Sequence, residues 1–195
     1  MAKDNGGGFE PVEPGVHHAI CYGVVDLGTQ FSEVYNNESH KVLIMWELPF
    51  ERITIEGKDL PRAISRRFTL SINKKAKLRE VLESWRGRAF TDKDLEGFDI
   101  KNLLGVNCQV NVIHNTNNGK TYANVSSVIP LSKGVEKRKP ENEFQYFSME
   151  EGMEIPEGLP EWISTIIQKS AEFNPGAHPA IGEHDQRETE DDIPF

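Results

Sequence analysis

The sequence predicts a mainly β fold: a five-stranded barrel with one helix between its third and fourth strands, followed by a C-terminal helix and a disordered acidic tail. Three observations predict it. Five runs have the apolar, alternating character of strands, and the segment between the third and fourth runs has the apolar spacing of a helix. The last part of the chain, residues 140–195, is strongly acidic.

Each strand is placed by its apolar pattern and by the turn that ends it. Gly23 marks a bulge or bend in the first strand, and Pro49 closes the second. The sequence NTNNG at residues 115–119 predicts a hairpin turn between the last two strands. The predicted strands are Val16–Leu27, Lys41–Leu48, Ile64–Ile72, Val106–His114 and Tyr122–Leu131.

The segment between the third and fourth strands predicts a helix and a short helical turn. Asn73 caps a helix over Lys74–Trp85, and Gly87 ends it. Thr91 caps a second turn that runs to Glu96. Three strands, a helix and a two-stranded hairpin follow the order of an OB-fold, whereas an SH3-like barrel has no helix at that point. The buried face of the first helix consists of Leu78, Val81, Leu82 and Trp85.

The chain divides into four predicted parts. We expect the acidic, aromatic-containing residues 141–159 to pack back over the barrel. Pro160–Phe173 predicts a helix whose apolar face carries Trp162, Ile163, Ile166 and Ile167. The four parts are a flexible leader at 1–15, an OB-fold domain at 16–132, a linker with a helical extension at 133–173 and a disordered acidic tail at 174–195.

Net charge is divided unevenly along the chain. Residues 1–139 contain 20 Lys+Arg and 17 Asp+Glu, a net +3, whereas residues 140–195 contain 2 and 14, a net −12. A basic body with a separate acidic arm is typical of nucleic-acid binding. Cys21 and Cys108 lie in strand-like runs, outside any CxxC pair, and no apolar run is long enough for a signal peptide or a membrane span. These features predict a soluble, cytoplasmic protein.

The strongest candidate for nucleic-acid binding is the basic segment, residues 62–88. It holds nine basic residues and only two acids, Glu80 and Glu83. Phosphates would be neutralised there, while neighbouring rings stack on bases regardless of sequence. The candidate nucleic-acid-binding residues are Phe31, Tyr35, Lys41, Trp46, Arg62, Arg66, Arg67, Phe68, Lys74, Lys75, Lys77, Lys120, Tyr122 and Asn124.

Several of these residues also have a purely structural interpretation. Trp46 and Phe68 lie in alternating strands, so each is either a stacking platform or a core residue. A solvated helix face explains the three lysines Lys74, Lys75 and Lys77 almost as well as phosphate contact does. A metal site drawn from the histidines and cysteines fits no common zinc spacing, and no nucleotide-binding or hydrolase motif occurs. The sequence therefore predicts a protein that is not an enzyme and has no cofactor or metal.

The last six residues, EDDIPF, place three acids before an apolar tip. A terminal aromatic is suited to a partner's pocket, and the acids suit a rim of Lys and Arg. This ending resembles the tip of bacterial single-stranded DNA-binding proteins, which close with Asp followed by Ile-Pro-Phe. The resemblance implies docking of partner proteins by Asp191, Asp192, Ile193, Pro194 and Phe195.

The layout of barrel, extension and acidic tail resembles a bacteriophage-encoded single-stranded DNA-binding protein of the OB-fold kind. The segment PRAISRRFTLSINKKAKLREVLESW and residues 141–173 carry this second resemblance. It implies sequence-independent coating of single strands in the host bacterial cytoplasm during replication, recombination or repair, with enzymes recruited by the tip. The glycine- and glutamine-rich linker usual before the tip is missing, and tetramer formation does not carry over, so a homo-oligomer stays open. A recombination mediator or strand-annealing protein is one alternative, and an interaction adaptor that imitates the host tip is another.

Overall fold

A computed structural model of the protein describes residues 10–176. The fold is mainly β, with few and short helices, as predicted. The strands are β1 (Gly15–Ser32), β2 (Asn37–Ile55), β3 (Lys58–Thr69), β4 (Asn107–Asn117), β5 (Lys120–Pro130) and β6 (Gln145–Phe147). The helices are α1 (Lys77–Arg86), α2 (Asp92–Glu96) and α3 (Glu161–Gln168), with a 3-10 turn at Ile100–Leu103. None of the helices in this described part of the chain has both the length and the apolar character to cross a membrane.

The strands form one sheet in the order β3-β2-β1-β4-β5, with all of these neighbours antiparallel. The short strand β6 adds to β1 in parallel. The sheet differs from the predicted closed barrel, because no ladder joins β3 to β5 within residues 10–176. We call the place where β3 and β5 approach each other without a ladder the seam. A side chain bridges it, because the Arg66 guanidinium on β3 donates to the carbonyl of Val125 on β5 at 2.9 Å.

The two faces of β2 contribute to two different cores. Val42, Ile44 and Trp46 belong to an inner core that packs against α1, whereas Leu43 and Met45 belong to an outer core. A strand buried on both faces reads as a continuous apolar run, which explains the sequence KVLIMWEL. The outer core contains Val25, Leu27, Leu43, Met45, Phe147, Leu159, Ile163 and Ile167.

The extension is fixed to the sheet by the outer core and by a buried carboxylate. Glu47 on β2 is fully buried and accepts hydrogen bonds from the backbone N–H groups of Glu141 and Asn142, at 3.0 and 2.8 Å. Hydrogen bonds to a carboxylate satisfy a charge that would be costly to bury alone. The expectation that residues 141–159 pack back onto the sheet is confirmed, and the outer core holds α3 against the outer face of the sheet, where it contacts β1.

Local sequence chemistry sets most of the turns. Gly23 lies at a register shift between β1 and β2, as its predicted bulge requires. Asn118 and Gly119 both have positive φ, 50° and 75°, as the two-residue turn of the β4–β5 hairpin demands. Thr91 forms a capping box with Asp94 at the start of α2, and Gly87 in the left-handed conformation ends α1. These four predictions are confirmed.

The predicted start of the first helix is wrong. Helix α1 begins at Lys77, and its N-cap is Ala76, which makes no side-chain cap. Asn73 instead closes a turn, because its carbonyl accepts from the N–H of Ala76 at 2.9 Å. Lys74 and Lys75 therefore lie in this turn rather than on the helix.

Candidate nucleic-acid interface

An open groove with a volume of about 1550 Å³ crosses the edge of β3. Its walls come from the β1–β2 turn, the β2 and β3 strands and the β4–β5 hairpin. Because these elements are far apart in sequence, only the sheet topology brings them together. The groove collects ten of the predicted nucleic-acid-binding residues: Phe31, Tyr35, Lys41, Arg62, Arg66, Arg67, Lys77, Lys120, Tyr122 and Asn124.

The charged residues that line the groove are mainly cationic. Within the described part of the chain, six cationic residues line the groove and Glu10 is its one acidic lining residue. A cleft with charge of one sign focuses the field and raises the local concentration of the opposite sign. The six cations are Lys41, Arg62, Arg66, Arg67, Lys77 and Lys120.

Two arginines of β3 are held in place by backbone carbonyls. Arg62 donates to the carbonyl of Glu10 and, at 3.5 Å, to that of Arg52. Arg66 donates to Val125 across the seam, and its guanidinium lies 5.0 Å from the centre of the Phe68 ring. These contacts fix each guanidinium in one orientation, so little side-chain entropy remains to be lost when an anion binds.

Arg67 lies on the opposite face of β3 from Arg66, in register with Leu43. Burial lowers the pKa of Arg67, but a guanidinium stays protonated at neutral pH. A charge that has already lost much of its water interacts strongly with an incoming phosphate, because the local dielectric is low. Arg67 therefore adds a partly buried cation to the groove.

Two of the predicted rings in the groove are accessible. Tyr35 in the β1–β2 turn is 40% exposed, and Tyr122 on β5 is 36% exposed. Phe31 also lines the groove and is partly buried. Accessible rings beside cations are the arrangement by which proteins hold unpaired bases and their phosphates.

The prediction that Trp46 and Phe68 act as stacking platforms is wrong, and both are core residues. Both are completely buried. Trp46 packs against Trp85 of α1 with ring centres 5.8 Å apart, and Phe68 lies in the same inner core beneath Arg66. The physical reason is strand alternation: Trp46 and Phe68 point to the inner face, whereas the accessible rings come from turns and from the edge hairpin.

The helical half of the basic segment differs from the prediction. Lys74 and Lys75 are exposed but do not line the groove. Lys77 lines it, yet its amine lies 3.1 Å from a carboxylate oxygen of Glu80. Further along, Arg79 pairs with Glu83 at 3.0 Å, and Arg86 pairs with Asp94 at 2.9 Å. Carboxylates therefore compensate most of the charge on α1.

The sequence analysis did not indicate Trp162 as a residue of the binding site. The helical pattern groups it with the apolar face of α3, but its side chain is 48% exposed and lines the groove. Ile163 and Ile167, one turn apart, define the buried face. A helix turns by about 100° per residue, so Trp162 lies to one side of that face. Trp162 and Ile166 form an i, i+4 pair of their own, so residue spacing alone could not separate Trp162 from the buried face.

No group of three or more His, Cys, Asp or Glu residues is placed to hold a metal ion within residues 10–176. The predicted docking residues Asp191, Asp192, Ile193, Pro194 and Phe195 lie outside the described residues. Neither a scan against protein-family models nor a search of the curated proteins finds a match to the chain. The geometry of the groove is therefore the main guide to function.

Proposed function

We propose that the protein binds single-stranded DNA without regard to sequence and coats it during replication, recombination or repair. One observation carries the proposal: a single groove combines six cationic side chains with the accessible rings of Tyr35, Tyr122 and Trp162. The cations neutralise phosphates and release counterions. The rings stack on bases, and every base has a face to offer.

The exposed rings favour single strands over duplex. In a duplex the faces of the bases are already stacked on their neighbours, so Tyr35 and Trp162 would find only base edges and backbone. Unpaired bases can turn outward and lie against a ring, which contributes about 1–3 kcal/mol per base. A duplex would retain only the phosphate contacts.

The strand order supports an OB-fold assignment. The sheet has the order β3-β2-β1-β4-β5, and α1 lies between β3 and β4 in sequence. OB-folds bind oligonucleotides on the face of strands 2 and 3, between the loop that joins strands 1 and 2 and the loop that joins strands 4 and 5. The groove occupies this position, since its walls include Tyr35, Leu43, Arg67 and Lys120.

We assign a second role to the C-terminal tip, Asp191–Phe195, on the basis of its sequence. In the proposed arrangement the groove holds the strand and the tip recruits enzymes that act on it. The acids, the terminal carboxylate and the apolar ring together suit a pocket rimmed by cations. The combined layout supports a bacteriophage-encoded type of single-stranded DNA-binding protein.

An electrophoretic shift with oligo-dT tests the proposal. We expect a complex that survives a large excess of duplex competitor, with affinity that falls as salt rises. The protein-adaptor alternative predicts no complex with oligo-dT at any salt concentration. Equal competition by duplex and single strand would contradict the role of the rings.

A further inference from the structure

A second exposed surface combines cations with a ring. We name it the linker patch and define it as Phe50, Lys133, Lys137, Arg138 and Lys139. Phe50 is 59% exposed, and the other four side chains are exposed as well. None of the five lines the groove. From residue 133 to residue 139 the chain carries these four cations and a single acid, Glu136.

The ring and one cation of the linker patch are already in contact. The guanidinium of Arg138 lies 4.6 Å from the centre of the Phe50 ring. The ring of His18 on β1 lies 5.7 Å from the same ring, tilted by 52°. An arginine stacked on a ring keeps its N–H groups at the edge available for a phosphate. The pair therefore presents a flat apolar surface and a charge side by side.

The linker is fixed to the sheet at this point. The side-chain amide of Asn107 on β4 accepts from the N–H of Arg138 at 2.9 Å and donates to its carbonyl, also at 2.9 Å. The same amide oxygen lies 2.8 Å from Nε2 of His18. These bonds hold Arg138 by its own backbone, so its position does not depend on the rest of the linker.

The linker patch lies close to one end of the groove. Asn142 lines the groove and is four residues from Arg138, a distance of at most about 14 Å along the chain. Two bonds fix the segment between them, since Asn142 is bonded to Glu47 and Glu141 pairs with Arg52 at 2.6 Å. A strand that leaves the groove at Asn142 therefore meets the linker patch within a few nucleotides.

We propose that the linker patch is a second contact for the single strand, which continues past the groove, stacks a base on Phe50 and pairs phosphates with the linker cations. This inference rests on the proposed function and extends it. The chemistry of the linker patch indicates its occupant. Four cations and one acid within residues 133–139 favour a polyanion, and an exposed ring favours a polyanion with unpaired bases. The bound length of DNA then exceeds what the groove alone holds.

The test is a length series of oligo-dT, from about 4 to about 24 nucleotides, a range that brackets the site sizes of single OB-folds. The full chain is compared with the double variant Phe50→Ala/Arg138→Ser, each mixed with DNA at one protein per oligonucleotide. The matched control is Leu95→Ala/Lys93→Ser, which also removes one exposed apolar side chain and one exposed cation, but from α2. Binding is measured by fluorescence anisotropy.

We expect the double variant to match the wild type on the shortest oligonucleotides that bind and to lose about fivefold or more on the longest. The control should match the wild type at every length. An unchanged variant, or one weakened equally at all lengths, overturns the linker patch while the groove stands. A wild type that binds no oligonucleotide overturns the proposed function and the linker patch together.

Discussion

The strand half and the helix half of the basic segment look alike in sequence but differ in structure. Arg62 on β3 donates to the backbone carbonyls of Glu10 and Arg52 and lines a groove. Arg79 and Arg86 on α1 pair with the carboxylates of Glu83 and Asp94. A carbonyl orients a guanidinium without cancelling its charge, whereas a carboxylate compensates it. We therefore expect the partner of a cation, rather than the number of cations, to indicate where a polyanion binds.

The largest expected effect comes from removing charge on the strand half. Arg62→Gln combined with Arg67→Gln should weaken binding of oligo-dT by about tenfold or more, because hydrogen bonds to charged groups contribute about 1.5–3 kcal/mol each. The slope of log affinity against log salt should fall by about 0.7 for each phosphate that the variant no longer neutralises. Titrations at several salt concentrations measure both quantities.

The helix half provides the control for this experiment. Arg79→Gln combined with Arg88→Gln changes the net charge by the same amount but removes cations that already pair with Glu83 and Asp94. We expect the affinity of this variant to stay within about twofold of the wild type at each salt concentration, since paired cations release few counterions. Equal losses in the two variants would contradict the distinction between the two halves.

The next effect concerns the outer wall of the groove. Trp162→Ala should weaken binding by about fivefold or more, since stacking of one base on a ring contributes about 1–3 kcal/mol. The stability of the fold should change little, because the buried face of α3 is made by Ile163 and Ile167. Binding isotherms and urea unfolding of the same preparation separate the two readouts. A loss of stability without a loss of affinity would make Trp162 a packing residue.

A smaller effect is expected for Asp94, one of the carboxylates that pair with the helix half. The backbone N–H of Thr91 and the guanidinium of Arg86 hold the pKa of Asp94 far below its usual range. Because the pKa of Asp94 is lower in the folded state than in the unfolded state, the ionised carboxylate stabilises the fold at pH values above the unfolded pKa of 3.8. This stabilisation is lost as pH falls through the folded-state pKa. Asp94→Asn should therefore unfold at a lower urea concentration than the wild type at neutral pH, with the difference shrinking in acid.

The smallest effect concerns a histidine that helps to hold the extension. A hydrogen bond to Asp26, at 2.6 Å, raises the pKa of His40 above 6.5, and Glu172 lies 3.6 Å away. Because the pKa of His40 is higher in the folded state than in the unfolded state, the protonated imidazole stabilises the fold fully below about pH 6.5. This stabilisation is lost as pH rises through the folded-state pKa of His40. His40→Gln should lower the urea midpoint more at about pH 5.5 than at about pH 9. A difference that grows with pH would contradict this sign.

Features with local causes could be predicted from the sequence. Gly87 ends α1 because a left-handed residue is needed there, Thr91 caps α2 through its own hydroxyl, and Asn118–Gly119 forms a turn that requires two positive φ angles. The start of α1 could not be predicted, because Asn73 is as well suited to the turn that it closes as to a helix cap. Local competition of this kind leaves no trace in residue spacing.

Features with distant causes could not be predicted. Trp46 lies in a run whose neighbours are also apolar, since the extension covers the outer face of the sheet and hides the alternation. The pairing of Arg86 with Asp94 depends on the chain turning back after α1. Trp162 joins the groove because the outer core holds α3 against the outer face of the sheet. In each case the deciding contact spans elements that the sequence does not bring together.

The most direct test of the cationic groove uses its own tryptophan. The chain has three tryptophans, of which Trp46 and Trp85 are buried and Trp162 is exposed. A base stacked on Trp162 quenches its emission, so titration with oligo-dT should quench the wild type in a saturable, salt-dependent way. Trp162→Phe should still bind oligo-dT but show little quenching. Binding of oligo-dT without any quenching in the wild type would contradict the placement of the strand in this groove.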